Sequence, residues 1–363
     1  MTTSEQSHTD EQVLLDSARR GDEEAFGRLV ESHRPELQGH CYRMLASVHD
    51  AEDAVQDALL RAWRGLARFE GRSSVRTWLF TIATNTAIDT AERRSRRELP
   101  LDLGPATAPG RGPGEPLFET LWLEPCPDSM VGPSRRASPE ARYEVRESVE
   151  LAFVSALQHI PARQRAVLVL RDVFAFSAAE VADMLDTTVA AVNSALQRAH
   201  LAATRLPERS QQVVLGALGD EKIRHLAARY GEAIERGDIE TLLSMMTEEA
   251  SWAMPPLPGW YRGPVAIADF LRRDVFPERW RHRATRASGQ LAVGGYLFDA
   301  DRGCYVAGAL DVLTLDGDRI AQVTGFLTWE QRTGTETGSG TGDYRFGDTG
   351  VFPRFGLPAE LPA

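Results

Sequence analysis

Residues 50–63 read DAEDAVQDALLRAW, and residues 68–97 read RFEGRSSVRTWLFTIATNTAIDTAERRSRR. In the first stretch Ala54, Val55, Ala58, Leu59 and Trp63 supply an apolar stripe at helical spacing, with Asp50 placed to cap the helix. In the second, Gly71 with Ser73-Ser74 marks a turn, and Val75 to Arg97 reads as one long helix. Trp78, Ile82 and Ile88 lean towards its apolar side. Asn85 and Asp89 lie four positions apart and so share a face, which Arg93 extends by one more turn. An amide offers donor and acceptor to a base edge, and arginine anchors phosphates. A solvated helix with a basic end has the same pattern.

Upstream, residues 11–97 read as almost continuous helix, broken at Gly21-Asp22, where Asp22, Glu23 and Glu24 suit a positive helix N-terminus. Downstream, residues 98–139 are rich in proline and glycine and read as a linker. The apolar pieces Leu117-Phe118 and Leu121 to Leu123 are too greasy for a solvated linker and are expected to dock. Residues 140–207 are helical again. Within them SAAEVADMLDTTVAAVNSALQRAH (177–200) reads as a helix-turn-helix. Ser177 and Glu180 form a capping-box pattern, Asp186-Thr187-Thr188 makes the turn, and Thr187 or Thr188 caps the second helix. Val192, Leu196 and Ala199 then pack inward, leaving Asn193, Ser194, Gln197 and Arg198 to read major-groove edges or hold phosphates. Residues 213–331 place helices (220–236 and 264–276) before several strands (280–329), which suggests an α+β domain with an antiparallel sheet. Residues 332–363 begin as a Gly/Thr spacer and end with an aromatic tail.

The 363-residue chain is 42% hydrophobic and 26% charged, a soluble globular composition with room for two or three domains. No run approaches the roughly 18 apolar residues of a membrane span, and the polar opening MTTSEQSHTDEQ lacks a signal-peptide core. A cytoplasmic protein without membrane association is expected. Three scattered cysteines indicate neither a disulfide framework nor a cysteine-rich zinc site; no metal and no cofactor is expected. The net charge of −11 sits beside a cluster of Arg93, Arg94, Arg96 and Arg97. Such a chain binds bare DNA poorly and needs a partner to place its basic face on the duplex.

Residues 50–97 resemble the second domain of the extracytoplasmic-function (ECF) group of the sigma-70 family, in DAEDAVQDALLRAW, the RF–G–SS–RTWLF block and the IATNTAIDTAERR helix. The resemblance implies that Asp53, Gln56 and Asp57 dock on the clamp coiled-coil of core RNA polymerase. It also implies that Arg72, Ser73, Ser74, Trp78, Asn85 and Asp89, with the arginines Arg93, Arg94, Arg96 and Arg97, bind the minus-ten element and hold a flipped base. LAFVSALQHIPARQRAVLVLRDVFAFS (151–177) with the helix-turn-helix resembles the fourth sigma domain, which contacts the polymerase flap and reads the minus-thirty-five element; Thr188, Asn193, Ser194, Gln197 and Arg198 carry that role here. Asp186 stands where the family usually has glycine, and Asn193 and Ala195 where it often has basic residues, so weaker phosphate binding is expected.

Residues 220–330 resemble the SnoaL-like fold, a cone-shaped sheet closed by helices around an apolar pocket. The supporting stretches are AIERGDIETLLSMM, WAMPPLPGWYRGPVAIADFL and CYVAGALDVLTLDGDRIAQVTGFLT. Trp252, Met254, Trp260, Tyr261 and Asp311 are candidates to line that pocket, and Asp269, His282 and Asp311 are the groups that enzymes on this fold would use. Fold analogy does not carry function, so no catalytic centre is expected. An enzymatic reading gains weight only if the cone holds a desolvated Asp or His of raised pKa in a deep pocket. The fold class that follows is multidomain: two all-α sigma domains, a helical bundle and a helix-turn-helix, then an α+β cone that acts as a built-in regulator. Phe352–Pro358 is expected to help it contact the sigma domains or their linker, and a small ligand in the cone is a further candidate partner. The alternatives are a SnoaL-type cyclase or isomerase fused to a DNA-binding module, and a ligand-responsive helix-turn-helix regulator. The polymerase-docking stretch at residues 50–97 argues against the second of these.

Overall fold

The computed structural model describes residues 3–130, 147–202, 210–331, 344–347 and 350–363. The end of the linker, the opening of the second helical segment, Pro207 and the spacer at 332–343 lie outside the described residues. The chain forms two compact units, Met1–Arg96 with Ser129–Leu206, and Arg97–Asp128 with Pro207–Ala363.

The first unit is all helical. It contains α1 (Thr3–Arg19), α2 (Glu23–Glu31), α3 (Arg34–Leu45), α4 (Val48–Gly65) and α5 (Val75–Arg93). These are followed by α6 (Leu151–Gln158), α7 (Ala162–Leu168), α8 (Ala178–Met184) and α9 (Val189–Ala202). Helix α2 starts where Asp22 accepts the Ala25 N–H. The cap of α4 is Ser47 rather than Asp50: the Ser47 hydroxyl accepts the Asp50 N–H. Asp50 lies one turn in, buried, with its carboxylate paired to Arg94. The same pair accounts for a second difference. Helix α5 stops at Arg93, and Arg94 turns to extended geometry (φ −114°, ψ 154°) instead of continuing to Arg97. A buried carboxylate needs its counter-ion, and a helical backbone at Arg94 is given up for that pairing.

On α4, Ala51, Ala54, Val55, Ala58, Leu59 and Ala62 are buried, and small side chains let it lie close to α3 and α5. An aromatic cluster ties α5 to the second helical segment. Phe80 meets Phe174 at 4.9 Å and Phe176 at 5.0 Å between ring centroids. Arg76 lies over both Phe80 and Phe176 (4.9 and 4.4 Å) and bonds Glu36 at 2.8 Å. The Arg43 guanidinium reaches Ser148 Oγ at 2.7 Å, and Arg165 donates to the Met44 carbonyl. Such aromatic and charge-assisted contacts contribute about 1 kcal/mol each beyond the area buried.

The second unit holds α10 (Gln211–Leu218), α11 (Asp220–Arg236), α12 (Ile239–Ser244) and α13 (Gly263–Phe270). Its strands are β1 (Met246–Ala253), β2 (Trp260–Arg262), β3 (Trp280–Ala287), β4 (Gln290–Asp299), β5 (Cys304–Asp316) and β6 (Arg319–Leu327). The short strands β7 (Trp329–Gln331), β8 (Tyr344–Phe346) and β9 (Glu360–Pro362) follow. The main sheet runs β2-β1-β6-β5-β4-β3, with β9 added to β5. It is mixed rather than antiparallel, because β1 pairs parallel to β6. That pairing escapes a reading of hydrophobic alternation, which cannot tell which neighbour a strand will take. The core between sheet and helices includes Tyr230, Trp252, Phe270 and Leu313.

The tail lies on the cone's own sheet. Phe352 meets Tyr296 edge-on at 4.9 Å, Tyr296 donates to the Pro358 carbonyl, and Thr285 donates to the Phe355 carbonyl. A Cβ on Gly294 would stand 2.5 Å from Leu357, so glycine opens the seat. Phe352–Pro358 therefore packs on the cone itself.

Candidate nucleic-acid and polymerase surfaces and the cone cavity

Asp53, Gln56 and Asp57 are exposed on α4, on the side away from its buried alanines. Their spacing of three and four residues places two carboxylates and an amide in one row, a form suited to a basic partner. Asp53 stands 3.7 Å from His49 Nε2.

The turn before α5 is exposed at Arg72, Ser73 and Ser74, and Arg72 pairs with Glu70 at 2.5 Å. Ser74 is the α5 cap: its Oγ accepts the Thr77 N–H at 3.0 Å. Trp78 is half-buried and stacked on Phe69 (4.7 Å, 29°) beside this turn. Asn85 and Asp89 do share the outer face of α5. Asp89 reaches Arg61 at 3.9 Å, and Asn85 Nδ2 donates to the Met184 carbonyl at 3.4 Å. The last residue of α8 thus touches the α5 face at Asn85, which stays exposed. Of the four arginines, Arg93, Arg94 and Arg96 are exposed and Arg97 is half-buried; Arg94 holds Asp50, Arg96 meets His159 Nδ1 at 3.1 Å, and Arg97 donates to the Trp122 carbonyl at 2.6 Å.

The helix-turn-helix is built as its residues dictate. Ser177 accepts the Glu180 N–H at 3.2 Å while Glu180 Oε2 accepts the Ser177 N–H at 2.8 Å. The Ser177 N–H and then its hydroxyl, both donating to Oε2, hold the Glu180 carboxyl below the usual carboxylate range. Asp186 takes the left-handed turn (φ 48°), and Thr188 Oγ1 accepts the Ala191 N–H. Val192 and Ala199 are buried, and Thr188, Asn193, Ser194, Gln197 and Arg198 are all exposed.

In the cone, a cavity of about 170 Å³ is lined by Trp252, Met254 and Asp311 together with His282, Phe270 and Trp280. Asp311 is buried; burial pushes its carboxyl up to about 6, against a bond from the Tyr230 hydroxyl to Oδ2 at 2.9 Å. Burial first, and then the Asp311 charge, push the Tyr230 hydroxyl well above its usual range. His282 stands beside them with Nδ1 3.2 Å from Glu235 Oε1. A desolvated Asp of raised pKa in an apolar pocket is the condition named above for an enzymatic cone, so Asp311 is a group with chemistry to offer. Trp260 and Tyr261 do not line the cavity. Trp260 Nε1 donates to the Gly104 carbonyl and the Tyr261 hydroxyl to the Arg111 carbonyl. Asp269 likewise faces outward, where its Oδ2 accepts the Gly110 N–H at 2.7 Å.

Those three residues hold the linker, a contact that composition hides. The Thr107 N–H donates to the Trp260 carbonyl (2.7 Å), the Gly259 N–H to Pro113 (2.7 Å), and the Leu117 N–H to Pro256 (2.9 Å). Further along, the Ser288 N–H donates to Cys126 at 2.7 Å, and Asp128 accepts from Arg286 and from the Gly289 N–H. Leu123 and Cys126 are buried, whereas Leu117 and Phe118 keep 39% and 46% exposure, although Leu117 is bonded to Pro256 and Phe118 meets Trp329 at 6.1 Å between ring centroids. Among the described residues no group of His, Cys, Asp and Glu is placed to hold a metal, and no helix is long and apolar enough to cross a membrane.

Residues 29–97 match the Sigma-70 region 2 family, residues 150–202 the Sigma-70, region 4 family, and residues 227–323 the SnoaL-like domain. The chain is 42% identical over 347 residues to the ECF RNA polymerase sigma factor SigG of Mycobacterium tuberculosis, covering 94% of this chain and 86% of that protein. It is 30% identical over 199 residues to the RNA polymerase sigma-H factor of Pseudomonas aeruginosa, covering 55% of this chain and 92% of the relative. The crystal structure of M. tuberculosis extracytoplasmic function sigma factor SigJ superposes with a TM-score of 0.51 at 22% identity, over 81% of this chain and 93% of that one, and so shares its fold. With two sigma regions in order, a SnoaL-like cone after them and a relative similar along nearly the whole chain, the protein belongs to the ECF RNA polymerase sigma factors: it is a promoter-specificity subunit and not an enzyme.

Proposed function

We propose that this sigma factor docks on the polymerase clamp coiled-coil through Asp53, Gln56 and Asp57 and reads promoters with two further surfaces. Arg72, Ser73, Ser74, Asn85 and Asp89, with Arg93, Arg94, Arg96 and Arg97, receive the minus-ten element, and Trp78 shapes the turn from behind. Thr188, Asn193, Ser194, Gln197 and Arg198 read the minus-thirty-five element, and the domain around them meets the flap. The bond from Asn85 to Met184 supports a resting form in which the two sigma domains cover each other and must part before the minus-ten face is free.

The cone controls that opening in cis by gripping the linker, and its cavity takes a small ligand. The observation that carries the control is the strap from Thr107 to Asp128, whose backbone is bonded to the cone at Trp260, Gly259, Pro256 and Ser288. A Cβ at Gly259 would stand 2.6 Å from the Pro113 carbonyl oxygen, so Gly259→Val prises the strap loose while leaving both sigma domains untouched. Run-off transcription by reconstituted core polymerase, with the native chain and with Gly259→Val, tests this. A several-fold change in promoter-specific transcript, in either direction, supports control in cis. Equal activity of the two chains overturns it, and no transcription from the native chain overturns the surface assignments.

A further inference from the structure

The wall of the cone cavity is not made by the cone alone. Pro113, from the linker, lines it beside Trp252, Met254, Leu257, Phe270 and Trp280. Pro113 cannot drift outward without losing its bond from the Gly259 N–H, and Gly114 is packed as closely, with its Cβ position 3.0 Å from Pro258. The space, about 170 Å³, compares with roughly 150 Å³ for an apolar protein cavity that accepts benzene. One substituted aromatic ring fills it.

Its polar lining is sparse. His282 has its Nδ1 on Glu235, and Asp274 is held by Arg273 at 2.7 Å. Asp311 differs, because Tyr230 takes only Oδ2; Oδ1 makes no hydrogen bond among the described residues. Across the sheet Asp311 faces Gly325, where a Cβ would stand 2.7 Å from Oδ1. The glycine keeps that oxygen uncovered. A buried acceptor with an unused lone pair gains most from a ligand that donates a hydrogen bond to it. An anionic ligand is disfavoured, since two negative charges in an apolar pocket repel.

We propose that the cavity binds a single-ring hydroxyaromatic compound, a phenol in chemical class, whose hydroxyl donates to Asp311 Oδ1 and whose ring rests on Pro113, so that ligand binding tightens the linker strap. This rests on the strap reading above and gives the ligand a direction of effect. Because the ring touches Pro113 only when the linker is docked, the ligand binds the strapped form better, and by linkage it must favour strapping.

The test uses the full chain, p-cresol and its hydroxyl-free counterpart toluene, with affinity read by titration calorimetry. Cys126, a buried residue of the strap itself, gives a second readout: its modification by a thiol reagent, followed by mass spectrometry of its own peptide. The expected result is at least tenfold tighter binding of p-cresol than of toluene. Asp311→Leu should erase that ratio, and Asp311→Asn, which keeps a partner for Tyr230, should reduce it. Saturating p-cresol should slow Cys126 modification several-fold. Equal affinity for the two probes in the native chain, binding of neither, or a ratio unchanged in Asp311→Leu overturns the ligand assignment. Tight p-cresol binding that leaves Cys126 modification unchanged overturns the coupling. If Cys126 reacts without ligand as fast as in Gly259→Val, the strap reading itself fails; if it is protected and p-cresol does not bind, only the ligand inference fails.

Discussion

His40 shows how one side chain sets conditions for the helical unit. It is fully buried between Phe80 and Phe174, with Nε2 2.9 Å from the Thr84 hydroxyl. Burial first, and then the nearby Arg43 charge, lower its pKa from 6.5 to about 3. The folded state therefore refuses a proton that the unfolded chain accepts. The stability this contributes is complete above pH 6.5 and is lost progressively as pH falls towards 3. One proton corresponds to about 1.4 kcal/mol per pH unit, so chemical denaturation at pH 6.5 and pH 5 should show a loss of about 2 kcal/mol in the helical unit. In His40→Gln, which retains a hydrogen-bonding amide, that loss should be much reduced. Neither burial nor partner was legible for this histidine in the sequence, since HCYRM fits an exposed helix turn as well as a buried one. Asp311 was legible as a pocket candidate, but its pairing with Gly325 was not: they are 14 residues apart and meet only through the β5–β6 register.

Among the elements, α4 and α9 read clearly in advance, because each carries its own periodicity. In α9 the inward Val192 and Ala199 and the outward Asn193, Ser194, Gln197 and Arg198 stand as the 3.6-residue repeat requires. On α4, replacing Asp53 and Asp57 together by Ala removes two exposed charges and no packing. Affinity for core polymerase, measured by fluorescence anisotropy, should fall about tenfold, mainly through slower association and with weaker salt dependence. Unchanged affinity would remove α4 from the docking surface. The end of α5 read less well. Local propensity carries a helix through RRSRR, but Asp50, 44 residues away, draws Arg94 out of it. A helix boundary set by a distant ion pair leaves no local trace.

For the whole molecule, the two units should respond to acid in opposite senses. The Asp311 carboxyl has a folded pKa of about 6 against 3.8 when free, so the folded cone takes up its proton first and gains stability as pH falls from 7 towards 4. The helical unit loses stability over the same range through His40. Hydrogen exchange followed peptide by peptide at pH 7 and pH 5 should show protection falling in α3 and α5 and rising in β5 and α11. A parallel change in both units would contradict the two assignments. Local caps, periodic apolar residues and family-like motifs declare the order of parts along the chain: a helical bundle, a helix-turn-helix and a cone. The folded chain adds three meetings: the linker with the cone, the Asn85 amide with the Met184 carbonyl, and Pro113 with Asp311 in one cavity. Those are meetings of residues far apart in the chain, made by backbone hydrogen bonds and close packing. The backbone bonds depend little on which side chain a linker carries, and the packing depends on residues distant in the chain, so composition could not announce them.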